Sequence, residues 1–391
     1  MNFTISNNIR QIHFPPISEV KSWVAGRTVS ADKPLIDLCQ AIPDYSAHAD
    51  LLDHLKKKLH DPLVCKYSPD EGLSEVREVV CDWYQRHYYA ALNPRELCMT
   101  IGASQAFWLA MMVLCSAGDE VILQLPAYFD HPMGLQAMGV NPVYAPYNAT
   151  NGGLPDIEQI ASLITSRTRA ILLVTPSNPT GAVIPPKQLE ELFQLARKHK
   201  VALVLDETYN AFIDTPSHHL FEKKNWGDTL VHIASFGKTF ALTGFRAGAL
   251  VAAKEFIHHA LKIQDSMVVC QPRITQHAIA YGCKHLDNWV ADNAHMMQRR
   301  HDLFRDIFNS ENNPFILEAS GSFFAWVRHP WTSLTGRQAA KRLVDESNLI
   351  CLPGEVFGPR LENYLRLAFG NIQEEEIADA VERFKQCSES L

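Results

Sequence analysis

Nine cysteines, at positions 39, 65, 81, 98, 115, 270, 283, 351 and 387, include no CxxC pair and no other metal-ligand spacing. They read as scattered reduced thiols rather than a disulfide framework or a zinc site. The histidine pairs His218–His219 and His258–His259 are adjacent, not four apart on a helix, so no metal is expected from them either. Positive charge is also short: 36 Lys and Arg face 43 Asp and Glu, a net charge of -7 that argues against a nucleic-acid binder. Apolar runs such as Phe107 to Cys115 are too short to span a bilayer. No basic, then apolar, then small-residue start precedes Phe14, so export is not expected and a cytoplasmic location is. The sequons at Asn2 and Asn148 then carry no meaning. Neither a repeat nor a low-complexity linker is present. What remains is ordinary globular composition over 391 residues, enough for two domains with full cores.

Against this plain background one stretch stands out, Ser235-Phe236-Gly237-Lys238-Thr239-Phe240-Ala241-Leu242-Thr243-Gly244-Phe245-Arg246. A lysine sits among small residues, and an arginine follows eight positions later. An amine that must bond a flat ring needs the room that Gly237 and Gly244 leave, and a phosphate dianion needs a fixed, always-charged partner such as Arg246. The run resembles the lysine-site signature of the class I and II aminotransferases, which carry pyridoxal 5'-phosphate. The resemblance implies that Lys238 is the Schiff-base lysine and that Ser235 and Arg246 hold the phosphate.

Other segments fall in the order of that family. Val201 to Leu205 is an unbroken apolar run that reads as a doubly buried strand and ends in Asp206. A carboxylate there either caps the following segment or lies where open α/β sheets bind ligands, outside the strand ends. The resemblance sets Asp206 against the pyridine nitrogen and Tyr209 near the ring hydroxyl. A second apolar strand, Ala170 to Val174, runs into Thr175-Pro176-Ser177-Asn178-Pro179-Thr180-Gly181, which must be a loop. Asn178 is either part of an ordinary Asn-Pro turn or, by resemblance, a donor to the ring oxygen and a neighbour of the substrate. Gly102-Ala103-Ser104 opens an apolar helix, and the free N–H groups of such an end bind anions; a plain cap by Ser104 is the other reading. Tyr128, two places after Pro126, is either a core aromatic or, by resemblance, the one that stacks on the cofactor ring, with Phe129 as fallback.

Toward the end, Pro353-Gly354-Glu355-Val356-Phe357-Gly358 precedes the apolar strand Asn363 to Phe369, which contains Arg366. A cation there needs a carboxylate or a bound anion unless it snorkels from an edge. The resemblance makes Arg366 the clamp on the substrate α-carboxylate. Tyr67, in Lys66-Tyr67-Ser68-Pro69, resembles the tyrosine that reaches the neighbouring subunit's phosphate. A homodimer with shared active sites follows from that. Cys39-Gln40-Ala41-Ile42-Pro43 resembles the substrate-capping entry, although Ala41 stands where a glycine is usual.

Alternating strands and helices through the middle of the chain, with Leu189, Leu192, Phe193 and Ala196 on one helix face, argue an α/β fold with a mainly parallel sheet. From about His285 longer charged helices take over. The resemblance implies a fold type I architecture: a large seven-stranded domain over 46–284, and a smaller α+β domain from 1–45 and 285–391. The activity implied is transfer of an amino group from an L-amino acid to a 2-oxo acid by a ping-pong mechanism. A carbon–sulfur β-lyase is the alternative. No second arginine in a family motif offers itself to a side-chain carboxylate, and Phe14, Tyr45, Phe107, Trp108 and Phe323 are pocket candidates. A neutral, aromatic or sulfur-containing donor is therefore expected.

Overall fold

The computed structural model describes residues 3–28, 32–213, 218–310 and 313–389. Seven strands form its main sheet: β1 (Leu97–Ile101), β2 (Glu120–Gln124), β3 (Asn141–Ala145), β4 (Thr168–Val174), β5 (Ala202–Asp206), β6 (Leu230–Ser235) and β7 (Ala247–Val251). Their order is β1-β7-β6-β5-β4-β2-β3, with only β7 running antiparallel to its neighbours. Side chains alternate across the strands. On β5, Leu203 and Leu205 enter one core with Ile171 and Leu173, while Val204 faces the other core with Leu172 and Ile233. Both faces are apolar because helices cover both, as parallel sheets require. The helix Pro186–His199 supplies part of that cover, burying Leu189, Leu192, Phe193 and Ala196 on the face its sequence spacing predicts. It stops at Lys200, whose φ of 55° is left-handed.

A four-stranded antiparallel sheet stands beside this core: β8 (Ile316–Gly321), β9 (Phe324–Arg328), β10 (Leu352–Pro353) and β11 (Tyr364–Ala368), in the order β10-β11-β9-β8. The helices Asp287–Phe308, Gly336–Ser347 and Glu374–Glu389 pack around it, burying Ile377, Val381 and Phe384 against Phe308 and Phe315. Ile36–Asp37 pairs in parallel with Leu349–Ile350, while the short helix Asn7–Gln11 lies on the helix Asp130–Ala137 of the main sheet. One close approach brings the two sheets' loops together. A Cβ on Gly181 would lie 2.3 Å from the Gly321 backbone, so only glycine lets the loop carrying Asn178 meet the β8–β9 hairpin. Arg366 is not on an edge: β11 is flanked by β10 and β9, which excludes a snorkelling side chain.

Candidate active site

The carboxyl ends of β4, β5 and β6 open on one cavity of about 380 Å³. Asp206 ends β5 and lines the cavity, and its two oxygens are used differently. Its Oδ1 accepts from the Thr208 N–H (3.1 Å) and hydroxyl (2.6 Å), closing the turn, while Oδ2 lies 3.3 Å from Nε2 of His131. His131 was not foreseen. It sits three residues after Tyr128, buried against the Phe107 ring at 4.7 Å.

Lys238 projects from the single-turn helix Phe236–Thr239 that follows β6, and its Nζ donates to the Ala41 carbonyl at 2.6 Å. Burial, with Arg246 and Arg366 nearby, pulls its pKa down to about 7. An amine so placed is substantially neutral, and therefore nucleophilic, at ordinary pH.

At the cavity floor, the helix Gly102–Leu114 begins without a side-chain cap, so Ser104 is not one and the first N–H groups of the helix stay free. Arg246, itself at φ 58°, lays its guanidinium beside them, and a Cβ on Gly102 would lie 2.7 Å from its Nη2. Gly102 also has a φ of 72°, so both conformation and space require glycine. Ala103, Ser104 and Ser235 line the same corner. Free N–H groups, a helix dipole and a guanidinium make an anion cup.

Above it, the Asn178 amide spans two partners, with Oδ1 accepting from Arg366 Nη1 (3.2 Å) and Nδ2 donating to the Tyr209 hydroxyl (3.4 Å). Arg366 is 1% exposed, held between the Phe324 and Phe357 rings, and its Nη2 donates to the Cys39 carbonyl. Among the described residues no carboxylate pairs with it, and its buried Nε has no partner. A buried cation with an orphaned donor is an anion site in waiting. Tyr128 lines the cavity with its hydroxyl donating to Asp130 at 2.6 Å, whereas Phe129 turns into the core against Phe357.

Three pocket candidates are corrected. Phe14 is 68% exposed, Tyr45 packs edge-on against Trp289, and Phe323 packs behind Tyr209; none lines the cavity. Phe107 and Trp108 do, joined by Ile12, Met133, Gly134 and Ala137. Tyr67 stands apart from all of these, 77% exposed, its carbonyl held by Arg273 Nη2 at 2.8 Å.

A second buried cluster, Glu207, His218 and His232, brings its donor atoms within 4.8 Å of one another. Hydrogen bonds account for it. The Leu220 N–H donates to His218 Nδ1 (3.2 Å), which leaves the proton on Nε2, facing Glu207 Oε2 at 3.5 Å. His232 Nε2 and the Tyr88 hydroxyl each donate to that oxygen at 2.7 Å. Burial raises the Glu207 pKa, but His218 and His232 together hold it well below the carboxylate range.

With this geometry in place, the sequence profile of the family "Aminotransferase class I and II" matches residues 33–384. The chain belongs to that family. It is 26% identical over 384 residues to an aromatic aminotransferase of Arabidopsis thaliana, covering 96% of this chain and 94% of that protein. It is 27% identical to an aspartate aminotransferase of Pyrococcus abyssi over 90% of this chain and 92% of that one. The solved aspartate aminotransferase of Thermus thermophilus with maleate superposes with a TM-score of 0.90 at 25% identity, covering 98% of this chain and all of that one. An aromatic aminotransferase of Pyrococcus horikoshii superposes at 0.86 with 26% identity, over 96% and 99%. The protein is thus a fold type I aminotransferase that uses pyridoxal 5'-phosphate. These relatives lend nothing to the lyase reading.

The cavity fits that cofactor by its own chemistry: an anion cup at the helix end, an amine depressed toward neutrality, and a carboxylate oxygen free of the turn it closes. Gly102→Ala tests the cup. A left-handed alanine costs about 1–3 kcal/mol before the clash with Arg246 is counted. The cofactor Kd of the apoenzyme, read by absorbance titration, should rise about 10- to 100-fold while the far-UV spectrum stays unchanged.

Proposed function

We propose that the aminotransferase takes neutral, aromatic or sulfur-containing L-amino acids as donors, and that it works as a cytoplasmic homodimer with shared active sites. One observation carries the donor reading. The cavity wall beyond the catalytic groups is Ile12, Phe107, Trp108, Met133 and Ala137, with Gly134 leaving room where a Cβ would meet Phe107 at 2.6 Å. Among the described residues that line it, the basic side chains are Lys238, Arg246 and His131. Each is engaged, Lys238 by the chemistry, Arg246 in the cup and His131 on Asp206. A donor's side-chain carboxylate would therefore be desolvated without a partner, which costs several kcal/mol, whereas a ring or thioether gains by burial.

In this reading Gly102, Ala103, Ser104, Ser235 and Arg246 hold the phosphate of the cofactor, with Tyr67 of the partner subunit completing the cup. Tyr128 would hold the cofactor ring, Asp206 would favour a protonated pyridine nitrogen, and Asn178 with Tyr209 would supply hydrogen bonds to the ring hydroxyl. Burial raises the Tyr209 pKa, which keeps it a proton donor at neutral pH. Bound pyridoxal phosphate supplies an electron sink for the pair released at the substrate Cα. Arg366 holds the α-carboxylate bidentately, so that the Cα–H bond points at Lys238. With the cofactor bound, Lys238 Nζ would be the group that takes the substrate Cα proton and gives it back, as general base and acid. The Ala41 carbonyl, 2.6 Å from Nζ in the resting chain, orients that amine. Release of the oxo acid and entry of a second one complete a ping-pong cycle.

The two-domain division, 46–284 against 1–45 with 285–391, suits this cycle, since Arg366 and Ala41 come from the smaller part and Lys238 and Asp206 from the larger. The free thiols, most of them buried, suit a reducing compartment. Among the described residues no helix is long and apolar enough to cross a membrane.

Single-turnover titration of the holoenzyme with individual amino acids tests the donor reading. Phenylalanine or methionine should convert the bound cofactor with a kcat/KM at least about tenfold above that for aspartate, the scale of one unpaired buried group. A faster half-reaction with aspartate overturns it, and continuing release of ammonia without an oxo acid would restore the lyase.

A further inference from the structure

Three glutamines, Gln264, Gln271 and Gln276, are fully buried beside the anion cup. Burying a primary amide is unfavourable unless its N–H groups are bonded, and all six are. Gln271 Nε2 donates to the carbonyls of Thr100 and Arg246, the two backbone segments that flank the cup. Gln264 Nε2 donates to the carbonyls of Met99 (3.3 Å) and Asp70 (3.4 Å). Gln276 Nε2 donates to the Gln271 carbonyl (2.8 Å) and the Ser68 hydroxyl (2.9 Å), while its Oε1 accepts from the Leu73 N–H at 2.7 Å. Turning the amides of Gln264 and Gln271 over would set oxygen against oxygen, so the network itself fixes their orientation.

The partners divide into two groups. Met99 and Thr100 lie on β1, which leads into the cup, and Arg246 is part of it; Ser68, Asp70 and Leu73 belong to the loop that carries Tyr67. Arg273 grips the same loop, with Nη2 on the Tyr67 carbonyl (2.8 Å) and Nε on that of Lys66 (3.0 Å). Gln271, Arg273 and Gln276 lie within six residues of one another, at the turn into the helix Arg273–His285. That turn is strained: Val269, a β-branched residue, sits at φ 66° and ψ -71°. Such backbone persists only where the surroundings over-determine it, and it concentrates at functional sites.

We infer that Gln271 and Gln276 are positioning residues that fasten the phosphate cup of one subunit to the Tyr67 loop. Resting on the shared-site reading, this makes the loop that a subunit lends to its partner part of the same rigid unit as its own cup. The cup's backbone is set by Gln271, the tyrosine's backbone by Gln276 and Arg273, and the Gln276–Gln271 bond joins the two.

Hybrid dimers test it. One subunit is unaltered and reports cofactor binding through the absorbance of its lysine-linked pyridoxal phosphate. The other carries Lys238→Ala, so that it gives no such signal, alone or with Tyr67→Phe, Gln276→Leu or Ser68→Ala. Loss of the tyrosine hydroxyl or of the Gln276 bonds in the lending subunit should each raise the reporter's Kd about tenfold, and Ser68→Ala about threefold, the scale of one to two hydrogen bonds. Combining Gln276→Leu with Tyr67→Phe should add little beyond Tyr67→Phe alone. A merely structural role would weaken a subunit's own cup and leave the partner's unmoved. If Tyr67→Phe raises the reporter's Kd and neither Gln276→Leu nor Ser68→Ala does, the inference falls while the shared site stands. If none of the three moves it, the shared site falls and takes the inference with it. Should Gln276→Leu not assemble, Ser68→Ala decides between the same outcomes.

Discussion

Replacing Lys238 by alanine should lower kcat for transamination by at least about four orders of magnitude, the upper range for a single acid–base group, while leaving the cofactor bound in the cavity. The size follows from the isolation of this amine. It is buried and donates a hydrogen bond to the Ala41 carbonyl, and among the described residues lining the cavity His131 offers the other side-chain nitrogen base. His131 is engaged with Asp206 at 3.3 Å and cannot substitute. Retention of the cofactor is expected because the cup, Asp206 and Tyr128 are untouched. Small primary amines added to the medium should restore part of the rate, which a collapsed site would not allow.

The same residue fixes a pH dependence. Its pKa is drawn from the ordinary 10.5 to about 7 by burial first and then by Arg246 and Arg366. The rate at which the apoenzyme captures pyridoxal phosphate should therefore climb through pH 7 and level off, rather than climb toward 10. Stability follows with a definite sign. Between about pH 7 and 10.5 the unfolded chain binds a proton at Lys238 that the folded apoenzyme does not, so the penalty this group imposes on folding is full and constant below pH 7 and is relieved as pH rises through that window. Arg246→Ala, by removing a neighbouring charge, should move the capture midpoint upward.

Lys238, Asp206, Asn178 and Arg246 were legible because each ends or follows an apolar run, and a chemical group at the end of a buried strand has few things to do. His131 left no such trace. It lies in Asp130-His131-Pro132, within a helix of weak apolar pattern, and its meaning comes only from β5 placing Asp206 across from it. Ile12 was invisible for a related reason, since a short N-terminal helix reaches the cavity only by docking on the helix Asp130–Ala137. Phe14, two residues further on, looked equally suitable and points to solvent. The buried glutamines escaped notice because apolar periodicity scores them as surface. Their burial is a tertiary fact, set by the carbonyls of β1 and of Asp70 and by the Ser68 hydroxyl, all of which accept from them.

Arg366→Lys separates substrate binding from cofactor binding more cleanly than any other change in this site. The guanidinium does three things at once: it bonds the Asn178 amide, bonds the Cys39 carbonyl, and keeps Nε in reserve for an anion. A lysine retains the charge but offers a point donor on a longer-hydrated head, and cannot meet a carboxylate with two parallel bonds. Disturbing one partner of a buried, hydrogen-bonded charge pair costs roughly 2–5 kcal/mol, so kcat/KM should drop about 30- to 5,000-fold. Because the α-carboxylate is common to every donor and acceptor, the loss should be nearly the same for phenylalanine, methionine and their oxo acids, and should fall mainly on KM. The cofactor's absorbance and Kd should stay close to wild type, since the cup is built from Gly102 and Arg246, while Arg366 is bonded to the Asn178 amide and the Cys39 carbonyl. A loss confined to one donor would instead place Arg366 against a side chain, and a shift in cofactor affinity would place it in the cup; either result would remove the carboxylate clamp from this arginine.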